Sequence, residues 1–143
     1  MEIIVHSRQT VKNADPPVPY AVISIRGASD KSDVELKDSI RRRGVLPLKF
    51  DDVEADKGRG IFRDKHIQWI TDFVNEHKDK VDLFIVHCEA GISRSSAVAA
   101  ALSLWLNGTD EPFVTGCGPN GRFFPNQRIL RMLKQAWTPI VRE

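Results

Sequence analysis

The chain has little cysteine, little net charge and no long hydrophobic run, and each shortage excludes a class of protein. Its 143 residues include two cysteines, Cys88 and Cys117, too few for a disulfide framework or a zinc site, so we expect a reducing compartment, the cytoplasm. The 21 Lys and Arg nearly balance the 19 Asp and Glu, so nucleic acid and membrane are not expected as partners. No apolar stretch reaches the roughly 18 residues of a membrane span, and the N-terminus does not resemble a signal peptide.

The order of predicted elements favours a single α/β domain over residues 1–143. Short β-branched or continuous apolar runs predict strands, and apolar residues at spacings of three and four predict amphipathic helices. These patterns place strands at 3–5, 20–25 and 81–86 and helices at about 63–77, 95–106 and 127–137. Strands that alternate with helices indicate a three-layer α/β/α fold around a small, mainly parallel sheet.

The segment from Val86 to Ser96 contains the candidate catalytic residues. It joins the end of a buried strand to the start of an Ala-rich helix, at the sheet edge where α/β proteins bind ligands. The helix N-terminus offers unpaired N–H groups to a phosphate, and Gly91 lets the loop wrap them around one anion. This positive field favours the nucleophilic thiolate of Cys88. The planar guanidinium of Arg94 can bind two phosphate oxygens at once.

The run His87-Cys88-Glu89-Ala90-Gly91-Ile92-Ser93-Arg94-Ser95 resembles the Cys-x5-Arg signature of the protein tyrosine phosphatase superfamily, especially its compact, dual-specificity-like and bacterial-type branch. Residues 46–52 resemble the strand that leads into the general-acid loop of that family, and Phe124-Pro125-Asn126 resembles its closing segment. The resemblance implies a phosphatase without metal or cofactor that acts through a phosphocysteine. Its expected substrate is a phosphorylated protein or a small phosphomonoester, with phosphotyrosine first and phosphoserine or phosphothreonine second.

The resemblance also implies a role for each residue of the signature. Cys88 attacks phosphorus, the Ser95 hydroxyl eases the departure of the sulfur, and His87 orients the loop and tunes the thiolate from behind. The oxygens of the phosphate are held by the Arg94 side chain and by the backbone N–H groups of Glu89, Ala90, Gly91, Ile92, Ser93 and Arg94.

The resemblance further implies an aspartic acid on a separate loop as general acid, for which the sequence offers three candidates. Asp52 ranks first because it follows the apolar run as in family members. Asp51 is its neighbour, and Asp56 has a spacing to the cysteine that is common in the compact branch. Asp64 is expected to begin a helix instead.

Other interpretations of the loop cysteine are open. A module that binds phosphopeptides without turnover would lack the general acid, and the acidic run 51–56 argues against it. A sulfur-transfer or arsenate-reducing enzyme also uses a loop cysteine, but arsenate reduction needs resolving thiols, and only Cys117 is available. Cys117 as a disulfide partner of oxidised Cys88 is a redox hypothesis, against which we favour an unreactive turn cysteine. Glu89 and Ile92 stand where phosphoinositide phosphatases carry basic residues, which argues against inositol lipids.

Overall fold

The predicted signature begins at the end of a central strand of a parallel sheet. The computed structural model describes residues 1–114 and 123–137. Its strands are β1 Glu2–Ser7, β2 Tyr20–Arg26, β3 Arg42–Lys49 and β4 Leu83–Cys88. They lie in the order β1-β4-β2-β3, and every pairing is parallel. Cys88 is level with Ser7, and His87 with Ser24, so the carboxyl ends of three strands meet at the predicted nucleophile.

Helices cover the sheet unequally. The described helices are α1 Arg8–Val11, α2 Asp64–His77, α3 Arg94–Asn107 and α4 Gln127–Trp137. The three longer ones pack their apolar side chains against one face and form the larger core with residues such as Ile23 and Val86. The smaller core on the other face includes Tyr20 and Ile85 and is covered by α1 and irregular chain. The predicted α/β/α class is confirmed, with its second helical layer reduced to this thin cover.

The helix ends follow from local chemistry. Gly108 ends α3 in the left-handed conformation with φ 80°, as the Asn107-Gly108 pair predicts. Asp64 is the first residue of α2, as predicted, and α4 spans the predicted residues 127–137. The sequence did not predict α1, and Cys117 lies outside the described residues. None of the described helices is long and apolar enough to cross a bilayer.

Candidate active site

The sulfur of Cys88 lies at the base of the loop that joins β4 to α3. Cys88 ends β4 and is 2% exposed. Its Sγ is 3.0 Å from the Oγ of Ser95, in the first turn of α3. We call residues 89–93, which separate Cys88 from Arg94, the phosphate loop. The strand and the helix thus bring the sulfur and the hydroxyl predicted to assist it into hydrogen-bond distance.

The backbone of the phosphate loop turns its carbonyl groups toward the surrounding protein. Three carbonyls accept hydrogen bonds: Glu89 from the N–H of Arg8 (3.1 Å), Ile92 from that of Phe124 (3.0 Å) and Ser93 from that of Asn126 (3.1 Å). Within the described residues, no acceptor contacts the N–H groups of residues 89–93. These donors are therefore available to an anion bound above Cys88.

Gly91 is required for this loop conformation. Its φ of 72° lies in the left-handed region, which side chains disfavour. A Cβ added to Gly91 would also lie 3.0 Å from the backbone of His6 and Ser7 at the end of β1. The phosphate loop thus packs directly against the end of the neighbouring strand, and a larger residue would displace it.

Arg94 begins α3 and is half-buried. One guanidinium nitrogen, Nη1, donates to the carbonyl of Phe50 at 3.0 Å. In the described part of the chain, the Arg94 side chain makes no other hydrogen bond. The contact orients the guanidinium, and its other N–H groups remain available to phosphate oxygens.

The three candidate aspartates separate clearly in the structure. Asp52 reaches the phosphate loop, where its Oδ1 accepts a hydrogen bond of 2.8 Å from the Ser93 hydroxyl. Asp51 instead accepts from the backbone N–H of Ala28 at 2.8 Å. Asp56 forms an ion pair of 2.8 Å with Arg128 of α4. Of the three, Asp52 alone contacts the phosphate loop.

His87 lies behind the phosphate loop and is fully buried. Its Nδ1 is 3.3 Å from the carbonyl of Cys88, and its Nε2 is 2.6 Å from the hydroxyl of Ser24. A carbonyl only accepts, so the ring hydrogen is on Nδ1, and Nε2 accepts from the hydroxyl. Burial lowers the pKa of His87 from 6.5 to about 4, so the ring is neutral at pH 7.

We expect the free energy of unfolding to fall as the pH is lowered from about 6.5 to about 4. The unfolded chain takes up a proton on His87 near pH 6.5, whereas the folded chain does so only near pH 4. The full difference is about 3 kcal/mol. Urea unfolding at a series of pH values measures it, with His87→Gln, which does not titrate, as the comparison. If the free energy of unfolding fell equally in wild type and variant, the pH dependence could not be assigned to His87.

Arg8 supports the rim of the phosphate loop, which sequence reasoning did not predict. Its Nη1 lies 2.5 Å from Asp30 Oδ2 and 3.6 Å from Glu89 Oε2. The hydrogen bond from Arg8 also holds the pKa of Asp30 well below its ordinary value. Arg8 belongs to the four-residue α1, too short to produce a periodic pattern.

An open cavity of about 820 Å³ lies beside the phosphate loop. Its lining comes from the end of β1, from α1 and the following turn, from residues 89–91 and from Phe123. The side chains of Cys88 and Arg94 are not part of this lining. The cavity therefore adjoins the loop without containing the sulfur.

Neither a protein-family model nor a curated protein matches this chain, but solved structures do. Human DUSP28 has a TM-score of 0.62 and 15% identity over 93% of this chain and 89% of its own. Cydia pomonella PTP-2 phosphatase has a TM-score of 0.59 and 17% identity over 94% and 85%. The human tyrosine phosphatase-like serine/threonine/tyrosine-interacting protein has a TM-score of 0.58 and 19% identity over 81% and 74%. This chain therefore shares its fold with these phosphatase and phosphatase-like proteins, as the resemblance of its signature predicts.

Proposed function

We propose that this chain hydrolyses phosphomonoesters through a phosphocysteine on Cys88. One observation carries the proposal. The Cys88 sulfur lies 3.0 Å from the Ser95 hydroxyl, at the base of a loop whose N–H groups at 89–93 have no acceptor within the described residues. Arg94 follows this loop directly, and its guanidinium has N–H groups that are free to bind phosphate oxygens. A nucleophile, an anion site and a bidentate cation thus share one strand–loop–helix unit.

In the proposed first step, the Cys88 thiolate attacks phosphorus and the bond from phosphorus to the leaving oxygen breaks. Asp52 gives its proton to that oxygen, so the alcohol or phenol leaves neutral. The loop N–H groups and Arg94 hold the other three phosphate oxygens, whose charge they stabilise in the transition state.

In the proposed second step, water attacks the phosphocysteine. The Asp52 carboxylate takes a proton from the water, the sulfur–phosphorus bond breaks, and inorganic phosphate leaves. The Ser95 hydroxyl donates to the departing sulfur and stabilises the thiolate, which is ready for another cycle. A reducing cytoplasm, which the low cysteine count predicts, would protect this thiolate from oxidation.

We propose protein phosphotyrosine as the first substrate and phosphoserine or phosphothreonine as the second. The support is the likeness in fold to solved structures that include a tyrosine phosphatase-like protein and a putative dual specificity phosphatase. The cavity of about 820 Å³ beside the phosphate loop offers room for the group esterified to the phosphate and for neighbouring peptide.

Turnover of para-nitrophenyl phosphate by the wild-type protein tests the proposal. We expect release of para-nitrophenol and inorganic phosphate, inhibition by vanadate, which mimics phosphate at the loop, and no loss of rate with a metal chelator. Binding of a phosphopeptide without turnover would contradict hydrolysis and support the non-catalytic binding module. Loss of rate with the chelator would contradict the metal-free mechanism.

A further inference from the structure

The Asp52 carboxylate is held by two donors on the same oxygen. The Ser93 hydroxyl and the side-chain amide of Asn126 each donate to Oδ1 at 2.8 Å. Within residues 1–114 and 123–137, no donor contacts Oδ2. A protonated Asp52 therefore carries its hydrogen on Oδ2, because Oδ1 already accepts two hydrogen bonds.

Asn126 is held rigidly enough to fix this carboxylate. Its side chain is fully buried and caps α4, since its Oδ1 accepts from the N–H of Ile129 at 3.0 Å. Its backbone N–H donates to the Ser93 carbonyl at 3.1 Å. The capping contact requires the amide oxygen to face the helix, so the NH₂ group must face Asp52. That group also lies 3.3 Å from the carbonyl of Val53.

We propose that Asn126 is a positioning residue for the general acid. It holds the Asp52 carboxylate against the phosphate loop with Oδ2 as the proton-bearing atom. As the proton leaves Oδ2, negative charge develops on the carboxylate, and the Asn126 donor is already in place to stabilise it. This inference rests on the proposed function of Asp52 as general acid.

Asn126 is a better residue to test than Ser93. Ser93 belongs to the phosphate loop, so its replacement would also disturb the anion site. Among the described residues, Asn126 hydrogen-bonds the phosphate loop through its backbone N–H alone, which a substitution retains. Serine at position 126 would keep an oxygen to cap α4 and would lose the amide donor to Asp52.

The experiment compares two leaving groups. Phenyl phosphate needs a proton on its departing oxygen, whereas 2,4-dinitrophenyl phosphate needs almost none. We expect Asn126→Ser to lower kcat/KM for phenyl phosphate about tenfold, as for one hydrogen bond to a charged group, and to change it less than about threefold for the dinitrophenyl ester. Asp52→Asn should lower the phenyl rate about 10²-fold. In the Asp52→Asn variant, adding Asn126→Ser should not lower kcat/KM for phenyl phosphate any further.

Gln127→Ala is the matched control. Gln127 is exposed in the same first turn of α4, and its side chain donates to the carbonyl of Pro125. It should leave both rates unchanged, and urea unfolding checks that each variant is folded. Equal losses on both esters in Asn126→Ser would overturn the positioning role. Wild-type rates in Asn126→Ser beside a strong effect of Asp52→Asn would overturn it and leave the proposed hydrolase intact.

Discussion

Replacing Cys88 with serine is expected to lower the turnover of para-nitrophenyl phosphate by about 10⁴-fold or more. A serine hydroxyl is not ionised at neutral pH, so the attacking anion is lost. The phosphate loop and Arg94 are unchanged, so we expect the variant to bind inorganic phosphate with nearly wild-type affinity. Steady-state rates and calorimetric titration with phosphate measure the two effects separately.

Cys117→Ser is the control for this substitution, because it makes the same change at the other cysteine. We expect it to turn over para-nitrophenyl phosphate at the wild-type rate. Residual turnover in Cys88→Ser above a few per cent of wild type would contradict covalent catalysis at Cys88. Loss of phosphate affinity with a normal urea midpoint would contradict an anion site formed by the phosphate loop and Arg94 without the sulfur.

Replacing Arg94 with lysine is expected to lower kcat/KM for para-nitrophenyl phosphate by about 10³-fold. Lysine retains the charge but is a point donor without the planar pair of N–H groups. The guanidinium donates to the Phe50 carbonyl at 3.0 Å while other N–H groups remain for phosphate. An ammonium group cannot meet both demands in the same geometry. Rates over a range of substrate concentrations measure the loss.

Arg43→Lys provides the matched control for that substitution. Arg43 is exposed and lies near the amino end of β3, at the sheet edge opposite the phosphate loop. We expect its rates to equal those of wild type. If Arg94→Lys stayed within about threefold of wild type, the guanidinium would not be the group that grips the phosphate.

The unit that carries the proposed chemistry was predictable from sequence because its parts are local. Between Val86 and Ser96, a buried strand, a glycine turn and a helix start follow one another, and each has its own signal. The end of α3 at Gly108 and the span of α4 were predictable for the same reason, since caps and apolar spacing act within one or two turns.

The contacts that surround this unit were not predictable, because they join distant parts of the chain. Nothing local distinguishes Asp51 from Asp52, and the structure separates them through partners at Ala28 and Ser93. Asn126 was visible as the residue before a helix, but its contact with Asp52 depends on how α4 docks. Arg8 lies in a helix too short for a periodic pattern to reveal.

Gly91 packs on the backbone of His6 and Ser7, so the conformation of the nine-residue signature depends on a strand outside the signature. An isolated peptide of residues 83–107 would contain the phosphate loop and Arg94, but it would lack the β1 backbone against which the loop packs. The N-terminal strand, remote in sequence from the cysteine, is therefore as necessary to the proposed anion site as the loop residues themselves.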